Sequence, residues 1–139
     1  RRIDRCDSEP IDDSGTSQRT GIVDVAGTGQ RHILCIGRMS QEKGHRYLID
    51  AVAKANRRSS TPIILHLVGD GPLRQELQKQ ADHTEFEDYF VFHGHLNNPL
   101  PLLKRCELLV HPSLYEGLPN VLLEAMASSV PTIVSDCGE

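Results

Sequence analysis

Residues 63 to 81 read IILHLVGDGPLRQELQKQA. The first seven are short, branched and almost continuously apolar, which predicts a buried strand. After them GDGP marks a turn, Pro72 stands near a first helical turn, and Leu73 and Leu77 fall on one helical side. The unit is therefore strand, turn, helix. It recurs in both directions. Upstream, ILCIG (33 to 37) leads through GRMSQEKG into HRYLIDAVAKA, whose spacing places Tyr47, Leu48, Ala51, Val52 and Ala55 on one face. Downstream come the strand YFVFHG (89 to 94), the proline-rich PLPLLKRC with room for a turn or two of helix, and the strand ELLVH (107 to 111). PNVLLEAMAS then predicts a helix with Pro119 at or near its first position, and PTIVS (131 to 135) a last strand. Apolar strands joined through helices require crossover connections, hence a parallel sheet covered on both faces. An open doubly wound α/β fold is expected, and in such folds ligands bind beyond the carboxyl ends of the strands. The loops to inspect are GRMSQEKG, GDGP, HGHLNN and HPSLYEGLPN.

The chain has 139 residues, enough for one core that buries roughly two thirds of the unfolded surface. Residues 1–30 are rich in Asp, Ser, Thr, Gly and Arg and read as a linker or flexible arm, with 31–139 as the folded unit. Within the arm Gly27-Thr28-Gly29 is half a dinucleotide fingerprint, but without a strand before it or a helix after it a loop is expected. Net charge is -4, so no broad basic field exists to hold a nucleic acid, and any anion must meet a few placed cations. Cys6, Cys35, Cys106 and Cys137 form no CxxC pair; they predict buried thiols in a reduced, cytoplasmic setting. No apolar stretch approaches the ~20 residues of a membrane span. A soluble chain is expected, and peripheral contact of a full protein with a membrane stays open.

Arg38 and Lys43 lie in the loop after the first strand, bracketed by Gly37 and Gly44 and followed by a helix. Two cations beside free helix N–H groups suit a diphosphate, with Arg gripping oxygens bidentately and Lys acting as a point charge. Ordinary surface cations on a solvated loop would give the same pattern. Glu124 has Val121, Leu122, Leu123, Ala125, Met126 and Ala127 around it, and a buried carboxylate needs partners. Glu116 precedes it by eight positions, in the loop before the helix. Positions 119 to 124 of a helix rise only ~7.5 Å, comparable with the spacing of neighbouring parts of a nucleotide sugar, and carboxylates accept hydrogen bonds from vicinal hydroxyls. The alternative is Glu124 paired with an Arg or a backbone group inside the core.

GRMSQEKGHRYLIDAVA, LVGDGPLR, VFHGHL, HPSLYEGLPNVLLEAMA and PTIVSDCGE together resemble, in order and spacing, the carboxy-terminal donor-binding domain of group 1 retaining glycosyltransferases of GT-B architecture. The resemblance spans residues 31 to 139, and its most specific part is the E-x7-E element Glu116 to Glu124. It implies one Rossmann-like half of a two-domain enzyme, truncated at its carboxyl end and inactive alone, whose absent amino-terminal half takes a glycan or lipid-linked acceptor. A nucleoside-diphosphate sugar (UDP or GDP) is the implied donor, with no cofactor and no metal. Arg38 and Lys43 are implied to bind the diphosphate, Glu116 the transferred sugar, and Glu124 the ribose. Gly37, with backbone N–H groups around Gly117 and Leu118, would lie at the phosphates or sugar, and the loop at His93, Gly94 and His95 near the base. One departure matters: where many members have EGFG, this chain has Gly117-Leu118-Pro119-Asn120, and Pro119 offers no donor.

The resemblance implies sugar transfer to an acceptor hydroxyl with retained anomeric configuration. The sequence holds no Asp-x-Asp metal motif, and His93 and His95 lack an evident third ligand. Rival readings are a nucleotide-sugar epimerase of the same architecture and a non-catalytic nucleotide-binding module. Truncation predicts an uncovered apolar edge near Ile133 and Val134.

Overall fold

Five strands, β1 (Arg31–Ile36), β2 (Ile63–Val68), β3 (Phe90–Gly94), β4 (Leu108–His111) and β5 (Thr132–Val134), fall on the five apolar runs. The structure is a computed structural model that describes residues 29–114 and 120–136. All four strand pairs are parallel, in the order β3-β2-β1-β4-β5. Helices α1 (His45–Arg58), α2 (Arg74–Asp82), α3 (Leu100–Arg105) and α4 (Asn120–Ala127) connect them. The doubly wound α/β expectation holds. Short α3 matches its proline-rich sequence, and Pro72 stands in the turn just before α2. The arm at 1–28, Pro119 in its predicted helix-opening place, Cys6 and Cys137 lie outside the described residues.

Side-chain alternation along β1 and β2 feeds two cores. Cys35, Leu65 and Leu67 join Leu48, Ile49, Val52 and Ala53 of α1, and Leu77 and Ala81 of α2. On the opposite face Leu34 and Val68 meet Leu102, Leu103 and Cys106 near α3, with Ala125 of α4. Leu34, Ile49, Leu65, Leu67, Leu103 and Leu109 are fully buried, each worth about 1.5–3 kcal/mol relative to exposure. Cys35 and Cys106 are free and buried, as their apolar neighbours in sequence predict, and burial pushes both thiols up to about 12.

The apolar face of α1 is corrected. Its buried positions are His45, Leu48, Ile49, Val52, Ala53 and Asn56, whereas Tyr47 is 57% exposed and Ala51 is exposed. Polar anchoring explains the rotation. The Asn56 side chain donates to the Ile63 carbonyl (3.0 Å) and accepts the Ile63 N–H (2.8 Å), which ties the end of α1 to the start of β2. At the other end of the sheet β5 pairs with β4 and leaves Ile133 56% and Val134 44% exposed, the open edge expected there.

Candidate functional site

The sheet order reverses its direction of growth between β1 and β4. From β1 the chain crosses through α1 to β2 on one side, and from β4 through α4 to β5 on the other. This reversal is the topological switch point, and in open α/β sheets ligands bind outside the carboxyl ends of the strands at that place. The loops at this point carry Arg38 and Lys43 after β1, and residues 112–114 after β4.

Sterics lock these loops together. Gly44 closes a single 3-10 turn over Gln41–Lys43 with φ 71°, and a Cβ there would lie 2.1 Å from the Pro112 carbonyl oxygen. Only glycine fits. The Leu114 N–H donates to the Glu42 carbonyl (2.7 Å), so the β1 exit is stitched to the segment leading into Glu116. Gly69, with φ 132°, brings the β2 exit against the β1 exit: a Cβ there would meet the Gly37 carbonyl oxygen at 2.0 Å. Met39, fully buried, donates its N–H to Asp70 O (2.9 Å) and accepts from Leu73 N–H (3.0 Å). Gly37 itself has room, since its nearest neighbour in the Cβ direction is Lys43 Cδ at 3.9 Å. The stem of Lys43 thus passes over Gly37.

Arg38 is exposed and Lys43 half-buried. Between them Glu42 accepts a hydrogen bond from Ser40 Oγ (2.6 Å). That bond, then Glu42's own backbone N–H, then the charges of Lys43 and Arg38 hold its carboxyl below the usual range. Both cations therefore share one electrostatic environment at the switch point. Glu42 had no place in the reading of the sequence, although a carboxylate between two cations was visible there. His45 was missed as well: it is 2% exposed, and burial, followed by the charges of Lys43 and His111, lowers it to about 4. A neutral imidazole at the start of α1 leaves the positive charge of this loop to Arg38 and Lys43.

The β4 exit is equally built. His111 and Ser113 are 4% and 1% exposed, and Ser113 Oγ lies 3.0 Å from His111 Nε2. Ser135, just after β5, donates through Oγ to Ser113 O and through its N–H to His111 O (3.1 Å). Glu116, Gly117 and Leu118 lie outside the described residues. Glu124 is exposed on α4, not paired inside the core, so the alternative of a core carboxylate does not hold. The cause is the narrowness of the packed stripe. Val121, Leu122 and Ala125 cover the sheet, while Leu123 (48%) and Met126 (69%) face outward with Glu124.

His93 and Gly94 end β3 at the same carboxyl edge, and Gly69 N–H donates to Gly94 O (2.7 Å). The β3 exit thereby touches the β2 exit. His93 is 6% exposed and Nε2 lies 2.8 Å from His66 Nδ1, so this ring belongs to the interior. Among the described residues no group of three or more His, Cys, Asp or Glu is placed to hold a metal ion.

A family profile described as glycosyl transferases group 1 matches residues 30–139. The chain belongs to this family. Within it, the N-acetylgalactosamine-N,N'-diacetylbacillosaminyl-diphospho-undecaprenol 4-alpha-N-acetylgalactosaminyltransferase of Campylobacter jejuni is 33% identical over 106 residues, 76% of this chain and 28% of that protein. The 2-deoxystreptamine glucosyltransferase of Streptomyces kanamyceticus is 30% identical over 137 residues, 97% of this chain and 34% of that protein. Among solved structures, Anabaena Alr3699/HepE in complex with UDP-glucose superposes with a TM-score of 0.69 at 28% identity, covering 82% of this chain and 31% of that one. The chain thus spans about a quarter to a third of the length of these group 1 relatives. Its sheet and flanking helices are those of GT-B glycosyltransferase structures. No helix among the described residues is long and apolar enough to cross a membrane.

Proposed function

We propose that this chain is the donor-binding half of a retaining glycosyltransferase that moves a sugar from a nucleoside diphosphate to an acceptor hydroxyl. The observation that carries the reading is the switch point between β1 and β4, where the Arg38–Lys43 loop is bonded to Leu114, just ahead of Glu116 in sequence, through the Glu42 carbonyl. A uridine donor is favoured by the likeness to a structure solved with UDP-glucose. Residues 31–139 form the donor unit, 1–30 the arm that precedes it, and an acceptor-binding half completes the enzyme.

Arg38 and Lys43 take the diphosphate. Leaving-group departure puts negative charge on it, and fixed cations that face the growing charge lower the barrier without a divalent ion. Glu124, exposed on α4, accepts from the ribose hydroxyls. Glu116 accepts from the transferred sugar, with the amides of Gly117 and Leu118 nearby. Gly37 admits the Lys43 stem, and the turn after His93 and Gly94 meets the base. The acceptor is a glycan or a lipid-linked sugar, and the enzyme works in the cytoplasm, in peripheral contact with a membrane where the acceptor is lipid-linked.

Loss of one charge-stabilising group costs about 2.7–4 kcal/mol, so Arg38→Ala in the full-length enzyme slows transfer roughly 10²- to 10³-fold. Nucleoside diphosphate release measured with donor and acceptor present reads this directly. A change below about threefold removes Arg38 from the mechanism. The same assay separates transfer from epimerisation, which leaves an isomeric nucleotide sugar and no new glycoside.

A further inference from the structure

Three histidines outside the diphosphate site form one continuous stack through the sheet. His32 of β1, His66 of β2 and His93 of β3 are 0%, 1% and 6% exposed. His32 Nδ1 lies 2.9 Å from His66 Nε2, and His66 Nδ1 lies 2.8 Å from His93 Nε2. Neighbouring rings stack at 5.2 and 5.1 Å between centroids, 28° apart in plane. The ladder crosses three strands on the face that also carries Leu34 and Val68, away from α1 and α2.

Its outer rung sits at an irregularity. Leu67 pairs with Phe92 but Val68 pairs with Gly94, so His93 is the extra residue of a bulge in an edge strand. Bulges bend a strand and re-aim the residues after it. Here those residues are Gly94, with φ 73°, whose carbonyl accepts the Gly69 N–H, and then the exposed turn at His95. The strand register shifts at the bulge, and the His66–His93 imidazole contact adds a cross-strand tie at the same place.

We propose that the His32–His66–His93 ladder fixes the β3 bulge and, through it, the Gly94–His95 turn, making His66 a positioning residue for the nucleoside end of the donor. This rests on the donor reading above only in its last clause. A neutral central ring has one N–H and one lone pair, which serve both neighbours at once. A protonated ring would donate to both but would place a charge in a dry interior. Burial, then the neighbouring His93 and His32, lowers His66 to about 3, and burial also lowers His32 against the opposing charge of Glu107. Glu107 faces His32 from the turn before β4, with Arg31 4.0 Å away. Lys104 and Arg105 of α3 are exposed, and Asp70 and His95 act on each other past the Gly94 end. The closed ladder therefore excludes protons that an opened one takes up at ordinary histidine values near pH 6.5. Release of His66 alone favours opening by about eightfold between pH 7.0 and 5.5.

Hydrogen exchange on the intact protein tests the ladder without any donor. After correction for intrinsic rates, amides of Val91, Phe92 and His93 lose about eightfold or more in protection from pH 7.0 to 5.5. His66→Gln keeps a donor and an acceptor but cannot be charged, and removes the central ring's share of that dependence, about eightfold, leaving what His32 and His93 contribute; His66→Leu loosens β3 at both pH values. In the transferase assay, donor KM rises in acid for the native enzyme and rises less for His66→Gln, with kcat unchanged. Equal β3 exchange at both pH values, or an acid dependence as steep in His66→Gln as in the native protein, overturns the proposal. If His66→Leu does not fold, native and His66→Gln proteins still decide it. Exchange that behaves as stated in a protein that fails to bind UDP refutes the donor reading and the last clause, and leaves the ladder standing.

Discussion

At the scale of single residues, two positions carry opposite expectations. Glu124 is exposed, so its carboxylate contributes little to folding. Glu124→Gln leaves the urea midpoint within the usual surface range of about 0.5 kcal/mol. Hydrogen bonds to a charged group are worth roughly 1.5–3 kcal/mol, so the same change weakens UDP binding by about ten- to a hundredfold, measured by calorimetry on the full-length enzyme. Unchanged affinity would take Glu124 out of the site. Gly44 is the reverse case. Its φ of 71° and the Pro112 oxygen in the Cβ direction make Gly44→Ala destabilising by at least about 1–3 kcal/mol, seen as a lower denaturation midpoint. The sequence marked both residues for attention. It assigned Glu124 to an apolar surround because neighbours along a chain say little about which third of a helix touches the sheet. It paired Gly37 with Gly44, yet only Gly44 is sterically required, because that need arises from Pro112, nearly seventy positions away.

Among the secondary elements of the described residues, the five strands and four helices follow from runs and spacings that a short window contains. The face of α1 does not, since His45 and Asn56 are buried polar residues that a hydrophobic pattern skips. Asn56 is buried because Ile63 offers both of its backbone groups, a partner visible only after the chain folds back. α4 and β5 are the weakly covered pair. Leu123, Met126, Ile133 and Val134 are all 44% exposed or more, beside β5, the edge strand among the described residues. This chain by itself is expected to self-associate as concentration rises, and Ile133→Lys to shift it toward monomer. Light scattering across a dilution series checks both, and a monomer at every concentration would contradict them.

For the molecule as a whole, buried histidine sets the response to acid. Burial lowers His66 to about 3 and His45 to about 4, while the unfolded chain titrates near 6.5. Below pH 6.5 the unfolded state binds protons that the folded state refuses, so stability is complete above that pH and falls as pH drops toward 4 and then 3. Each ring removes roughly 1–2 kcal/mol by pH 5.5. Against a typical total of about 5–15 kcal/mol, the urea midpoint at pH 5.5 should lie clearly below that at pH 7.5. Equal midpoints would mean that these rings are not excluded from protonation in the native state. The sequence alone determined the alternation of strand and helix, the parallel sheet, and the loops that must reach its carboxyl edge, because hydrophobic period and turn residues act over a few positions. Only the tertiary structure decided which loops meet at the reversal between β1 and β4, that three distant histidines stack as one ladder, and that Glu124 faces outward. Those outcomes depend on strand order and register, where contacts between residues tens of positions apart decide which side chains lose water.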